Sequence, residues 1–132
     1  MTNRPHGDPI PDAGPLVDGP VVTALADHFG RQRLAPVLAE FCKEMQRRGA
    51  LLEAALAAAD WPAIDALSHS IKGSALTFGA AALGDCARSA NDAARAGDTA
   101  LAQASARQLL QLIPQTCAAM RAHEAYGDGT GS

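Results

Sequence analysis

Aromatic and β-branched residues are scarce in this 132-residue chain. Aromatic side chains make up 4% of it, and valine and isoleucine occur four times each. Because strands are enriched in these residue types, their scarcity argues against a β-sandwich or a barrel. Alanine is abundant instead, at 30 positions. A chain of this length builds one domain around one core, and we predict an all-α fold of closely approaching helices.

Other absences narrow the classes of function. The net charge is -3, so the basic excess of a nucleic-acid-binding protein is missing. No apolar run is long enough for a membrane span, and no secretory signal begins the chain, so we expect a cytoplasmic protein with no membrane contact. The three cysteines are odd in number and scattered, which is typical of reduced thiols and not of disulfides or a metal site: Cys42, Cys86 and Cys117.

Glycine, proline and aspartate divide the chain into segments. Five of the eight prolines lie in residues 1–20, and residues 1–18 are predicted to be a disordered leader. We expect a helical domain over 19–126 and a flexible tail over 127–132. Within the domain, Asp60 and Asp98 are expected helix caps, and Pro114 is predicted to kink or break the last helix near Leu110. The predicted helices span 19–29, about 32–59, 60–78, 81–96 and 99–125. They form an antiparallel four-helix bundle with a short extra N-terminal helix.

His69 lies on the third predicted helix, over 60–78, and is predicted to face outward from it. On a wheel at about 100° per residue, three large apolar residues lie within about 20° of the point opposite His69: Leu67, Ile71 and Phe78. They define the predicted core face. A second group shares the face of His69, within about 60° of it: Asp65, Ala66, Lys72, Gly73 and Leu76.

The His69 face suits phosphoryl transfer. Neutral imidazole is a nucleophile near physiological pH, and Lys72 places a positive charge one turn away. Gly73 costs the helix about 1 kcal/mol relative to alanine, and it removes a side chain where a partner would approach. Phosphoryl transfer depends mainly on positioning and electrostatics, so a partner protein would bring the metal and the second reacting group.

The stretch from His69 to Ala80, HSIKGSALTFGA, resembles the signature of histidine-containing phosphotransfer (HPt) domains. That signature is a histidine, a lysine at the third position after it, a glycine next, and a second glycine six positions later. The resemblance implies that His69 accepts the phosphoryl group on Nε2 and that Lys72 supports it. It also implies that Gly79 allows a tight turn, and that the partner contacts a surface of Asp65, Ala66, Gly73, Leu76 and Thr77.

The resemblance further implies the partners. HPt domains are helical bundles that pass phosphoryl groups between aspartates of receiver domains, so we expect response-regulator receivers and a hybrid histidine kinase. We expect a monomer with no ATP-binding or autokinase activity and no cofactor, the Mg²⁺ being supplied by the receiver. The chain departs from the family at residues 89–92, Ser-Ala-Asn-Asp, where a glutamate is frequent, and at Pro114.

Several alternatives stay open at this stage. The same face would also suit a phosphorylation-independent adaptor that only docks receivers. A dimeric histidine phosphotransferase is a further possibility, although such proteins usually carry an ATPase-like domain for which 132 residues leave no room. Asp65 would pair with His69 or with Lys72, or it would be a solvated charge. The basic run on the second helix is a solvated edge or a patch that steers an acidic partner: Lys43, Arg47 and Arg48.

Overall fold

The structure, a computed structural model, describes residues 16–123. This part of the chain contains five α-helices and no strand, which confirms the predicted all-α class. None of these helices combines the length and the hydropathy that crossing a membrane requires. In chain order they are α1 Gly19–Phe29, α2 Arg31–Ala57, α3 Trp61–Thr77, α4 Ala81–Ala96 and α5 Thr99–Ala122.

The four long helices form the predicted antiparallel bundle, and α1 packs on α2 at its side. Around the bundle, α3 packs against α2 and α4, and α5 packs against α4 and α2. Leu16 and Val17, just before α1, lie against the core. Residues 1–15 and 124–132 fall outside the described part, so the predicted division into leader, domain and tail stays a prediction.

Three aspartates begin three of the helices. The carboxylates of Asp18, Asp60 and Asp98 each accept a hydrogen bond from the backbone N–H three residues later, at 3.1–3.2 Å. A cap of this kind contributes about 1 kcal/mol because it satisfies a donor that the helix leaves unpaired. The predicted caps of α3 and α5 are therefore confirmed, and α3 begins where the sequence indicated.

Small residues let the helices approach closely. Ala75 of α3 and Gly84 of α4 are both buried where the two helices meet, and a Cβ added to Gly84 would lie 3.7 Å from Cβ of Ala75. On the other side of the bundle, a Cβ added to Gly49 of α2 would lie 3.2 Å from Cδ1 of Ile113 on α5. Gly49 thus accommodates a core side chain of α5, which explains a glycine in the middle of a 27-residue helix.

The predicted break at Pro114 is wrong, because α5 is continuous from Thr99 to Ala122. Pro114 itself is exposed, so its ring lies on the solvent side of the helix. Its missing N–H costs one helical hydrogen bond. The residues on either side of it, Ile113, Thr116 and Cys117, are buried, and this packing holds the helix together across the proline.

Candidate functional site

The buried face of α3 is rotated from the predicted one. Its fully buried residues are Ile64, Ser68, Ile71 and Ala75, whereas Leu67 and Phe78 are only half-buried. On the wheel, the middle of this buried set lies roughly 50° from the point opposite His69. The rotation occurs because α4 packs closely along the side of α3 that carries Ser68 and Ala75. The prediction that His69 points away from the core still holds, since His69 is exposed.

His69 lies in a line of exposed residues on α3. We call this line the exposed strip, and it consists of Ala66, His69, Gly73, Leu76 and Thr77. Lys72 is half-buried at its edge. Within residues 16–123, the side chains of His69 and Lys72 make no hydrogen bond and no ion pair. Both ring nitrogens of His69 are therefore open to a group that approaches from outside the domain.

Gly73 leaves open space one turn after His69. A Cβ added at Gly73 would meet no atom within 4 Å, and the Thr77 hydroxyl donates a hydrogen bond of 2.9 Å to the Gly73 carbonyl. The backbone of Gly73 is ordinary helix, since its φ is not positive. Packing within residues 16–123 therefore gives no reason for a glycine at this position. The room that it leaves is on the solvent side.

Asp65 is held by α4 and pairs with neither His69 nor Lys72. The side-chain amide of Asn91 donates to the Asp65 carboxylate, and it donates again to the Asp65 backbone carbonyl at 3.2 Å. Asn91 is buried and Asp65 is half-buried. Neither alternative left open for Asp65, a pair with His69 or Lys72 or a solvated charge, is what the structure shows, because its partner comes from the neighbouring helix. Asn91 was visible in the sequence only as a departure from the family pattern.

Leu76 lies over a glycine of α4 that sequence reasoning missed. A Cβ added to Gly84 would lie 2.8 Å from Leu76 Cδ2 and 3.2 Å from Leu76 Cγ. Gly84 is buried, while half of Leu76, 50%, remains exposed. Gly84 thus forms the floor on which Leu76 lies beside the exposed strip. A glycine inside a helix was the available signal, but its contact required knowledge of how α3 and α4 are aligned.

Gly79 forms the turn between α3 and α4. Its φ of 79° is in the left-handed region, which glycine adopts without strain. A Cβ there would lie 3.1 Å from the Val21 side chain, and the Asp18 N–H donates to the Gly79 carbonyl at 2.7 Å. This position therefore needs glycine both for its conformation and for the close approach of the start of α1.

Arg48 differs from its exposed neighbour Arg47. Arg48 Nη1 donates to the Ser74 hydroxyl at 3.0 Å and to the Ser70 carbonyl at 3.3 Å, both on α3. Its Nε also contacts Glu44 at 3.0 Å, and 19% of its side chain is exposed against 62% for Arg47. The prediction of a solvated edge is therefore wrong for Arg48, which bridges α2 and α3.

Two shallow apolar grooves run between α2 and α3. One, of about 350 Å³, has Phe41, Met45 and Phe78 in its lining. The other, of about 380 Å³, lies toward the opposite ends of the two helices, with Leu51 and Leu67 in its lining. Residues 16–123 contain no group of three histidine, cysteine or acidic side chains placed to hold a metal.

Comparison with known proteins gives one match. The model of the Hpt domain family matches residues 36–122, which is 87 of the 132 residues. The matched range includes most of α2 and all of α3, α4 and α5, and with them the exposed strip. Neither the curated proteins nor the solved structures contain a significant match to the chain.

Proposed function

Since the chain belongs to the Hpt domain family, whose members are phosphotransfer modules of phosphorelays, we propose that it carries phosphoryl groups on His69 between receiver domains. The observation that supports this most is the position of His69. It is the one histidine of α3, and it is exposed. No side chain of residues 16–123 forms a hydrogen bond with its ring nitrogens.

The proposed step is an in-line displacement at phosphorus. The lone pair of His69 Nε2 attacks the aspartyl phosphate of a receiver, an N–P bond forms, and the bond from phosphorus to the aspartyl oxygen breaks. The receiver carboxylate leaves with the electron pair, and the imidazole releases its Nδ1 proton to water. A second receiver reverses these steps. Lys72, at the edge of the exposed strip, offsets charge on the phosphoryl oxygens.

The proposed docking surface is the exposed strip with the adjoining part of α2. Ala66, Gly73, Leu76 and Thr77 surround the imidazole with small or apolar groups, which let a partner approach closely. The apolar grooves beside α2 extend that surface. We propose that receivers and a hybrid histidine kinase bind there, that the receiver supplies Mg²⁺, and that the protein acts in the cytoplasm as a monomer without kinase activity of its own.

Replacing His69 tests the proposal directly. The protein is incubated with a receiver that carries a radiolabelled aspartyl phosphate, and acid-labile label on the protein is measured. We expect wild type to be labelled and His69→Gln to be labelled about 100-fold less or not at all, because the nucleophile is gone. His28→Gln, at an exposed histidine of α1, is the matched control and should behave as wild type. Equal labelling of His69→Gln and wild type would show that His69 is not the acceptor.

The same experiment separates the alternative functions. An adaptor would bind the receiver with unchanged affinity in His69→Gln, and no protein would become labelled. A dimeric histidine phosphotransferase would show twice the chain mass in solution. Either result would replace the proposal of a monomeric phosphoryl carrier.

A further inference from the structure

Arg48 reaches from α2 to a single turn of α3. Its two acceptors on α3 are the Ser70 carbonyl and the Ser74 hydroxyl, which lie four residues apart. The Ser70–Ser74 segment is therefore one helical turn, and it begins directly after His69. It also contains Lys72 and Gly73, so one guanidinium holds both ends of the turn that carries the proposed phosphoryl-supporting lysine.

That turn is intrinsically weak. Gly73 lowers helix stability by about 1 kcal/mol relative to alanine, and no side chain at Gly73 packs against a neighbour. Ile71 anchors the inner side of the turn in the core, but its outer side at Gly73 is exposed, where local opening is cheapest. A hydrogen bond from a charged donor to both ends of the turn opposes such opening, because opening would separate the guanidinium from at least one acceptor.

We propose that Arg48 is a positioning residue, which holds the Ser70–Ser74 turn closed and thereby keeps Lys72 in place beside His69 for phosphoryl transfer. The inference rests on the proposed function for its effect on transfer. The effect on the turn stands on the contacts of Arg48 alone. Arg48 does not touch the reacting atoms: its contacts are with Glu44, Ser70 and Ser74.

The chain provides a matched control for this role. Arg47 is next in sequence, has the same charge and also pairs with Glu44, at 2.6 Å, but it makes no hydrogen bond to α3. Methionine keeps the apolar stem of arginine and removes the guanidinium, so both variants lose a charge and a pair with Glu44, while only Arg48→Met loses hydrogen bonds to α3. Arg48→Met should fold, because Glu44 retains its ion pair with Arg47. In addition, the Ser74 hydroxyl can donate a hydrogen bond to the Ser70 carbonyl within its own helix.

The first measurement is amide hydrogen exchange of α3. We expect Arg48→Met to speed exchange about tenfold at Ser74, whose N–H donates to the Ser70 carbonyl and closes the turn, and at Gly73 beside it. Exchange in α4 and α5 should not change, and Arg47→Met should exchange as wild type throughout. Unchanged exchange of the Ser70–Ser74 turn in Arg48→Met would overturn the inference, whatever happens to phosphotransfer.

The second measurement is transfer from a phosphorylated receiver, with kcat and KM determined separately. We expect Arg48→Met to lower kcat about tenfold with little change in KM, because the turn is misplaced while the docking surface remains. Ser74→Ala alone should lower kcat by part of this factor. Added to Arg48→Met, Ser74→Ala should lower kcat no further. Arg48→Lys, which restores a charged donor, should recover part of kcat.

The outcomes separate this inference from the proposed function. If wild type transfers and Arg48→Met has a wild-type kcat, the positioning role is refuted while the phosphoryl carrier stands. If wild type itself accepts no phosphoryl group, the proposed function fails, and the exchange measurement still decides whether Arg48 holds the turn. A fall in stability alone would shift thermal unfolding without altering kcat of the folded protein, and this result would also refute the inference.

Discussion

At the scale of single residues, the space around Gly73 separates what the fold needs from what a partner needs. Gly49, Gly79 and Gly84 each lie against another part of the chain, within 3.2 Å of where a Cβ would be. Gly73 has no such neighbour and no unusual backbone angle. Packing therefore does not explain Gly73, and this is consistent with the proposal that a partner approaches the exposed strip there.

Alanine at position 73 should therefore stabilise the protein. We expect Gly73→Ala to raise the free energy of unfolding by about 1 kcal/mol, because the added methyl group meets nothing and the helix gains propensity. Gly73→Gln should also fold, yet it should slow transfer from a receiver at least about tenfold, because its side chain projects beside His69. Urea unfolding and the transfer assay measure the two effects.

The control for added bulk is Ala104→Gln, which places the same side chain on the exposed face of α5. It should leave transfer unchanged. If Gly73→Gln transferred phosphoryl groups as fast as Ala104→Gln, the open space at Gly73 would not serve the approach of a partner.

At the scale of helices, the packing of α3 against α4 decides which side chains of α3 remain available. Asn91 of α4 holds Asp65, and Gly84 of α4 supports Leu76. One side chain of α3 is thus drawn toward α4, and another is left half-exposed beside His69. The composition of α4, small and alanine-rich on its buried side, therefore shapes the surface at which we propose that a receiver binds.

A methyl group at Gly84 should disturb that surface more than it disturbs stability. We expect Gly84→Ala to change the free energy of unfolding by less than about 1 kcal/mol, because the gain in helix propensity offsets the displacement of a flexible, half-exposed leucine. Leu76 must move, so KM for the receiver should rise about threefold. In a Leu76→Ala background, Gly84→Ala should have no further effect on KM. Additive effects in this double-mutant cycle would show that the two residues act separately.

The helices could be predicted from the sequence more fully than the contacts between them. Asp60 and Asp98 are local signals, and they placed the starts of α3 and α5 to within a few residues. The outward position of His69 followed from helical periodicity alone. The α4 partner of Asp65 and the α3 partners of Arg48 could not be found this way, because they lie more than 20 residues away and depend on how neighbouring helices are aligned. The break predicted at Pro114 was wrong for a similar reason, since packing of the buried residues around it holds α5 continuous.

At the scale of the whole molecule, the bundle keeps its three thiols inside and His69 outside. Cys42, Cys86 and Cys117 are all free and buried. The Cys86 thiol donates to the Ser105 carbonyl at 3.3 Å, and burial raises the pKa of Cys86 from 9.0 to about 12. The folded state therefore keeps this thiol protonated at a pH where the unfolded chain would ionise it.

This difference in pKa should appear as a loss of stability in alkali. Below about pH 9 the Cys86 thiol is protonated in both states, so its contribution to stability is fully present. As the pH rises toward 12, the unfolded state loses the proton first and unfolding becomes easier. Urea unfolding at about pH 8 and about pH 10.5 should show a smaller loss of stability in Cys86→Ala than in wild type. Equal losses in the two proteins would mean that Cys86 ionises alike in both states.

The position of α3 between α2 and α4 has a consequence for the order in which receivers bind. Both flanks of the helix are occupied by neighbours, and its outer line is only a few side chains wide. If receivers bind at the exposed strip, it is too narrow for two of them to bind at the same time. On the proposed function, the donor receiver must dissociate before the acceptor receiver binds. An excess of the acceptor receiver therefore competes with the donor for the exposed strip. The overall rate of the relay then depends on the dissociation rate of each receiver as much as on the rate of phosphoryl transfer at His69.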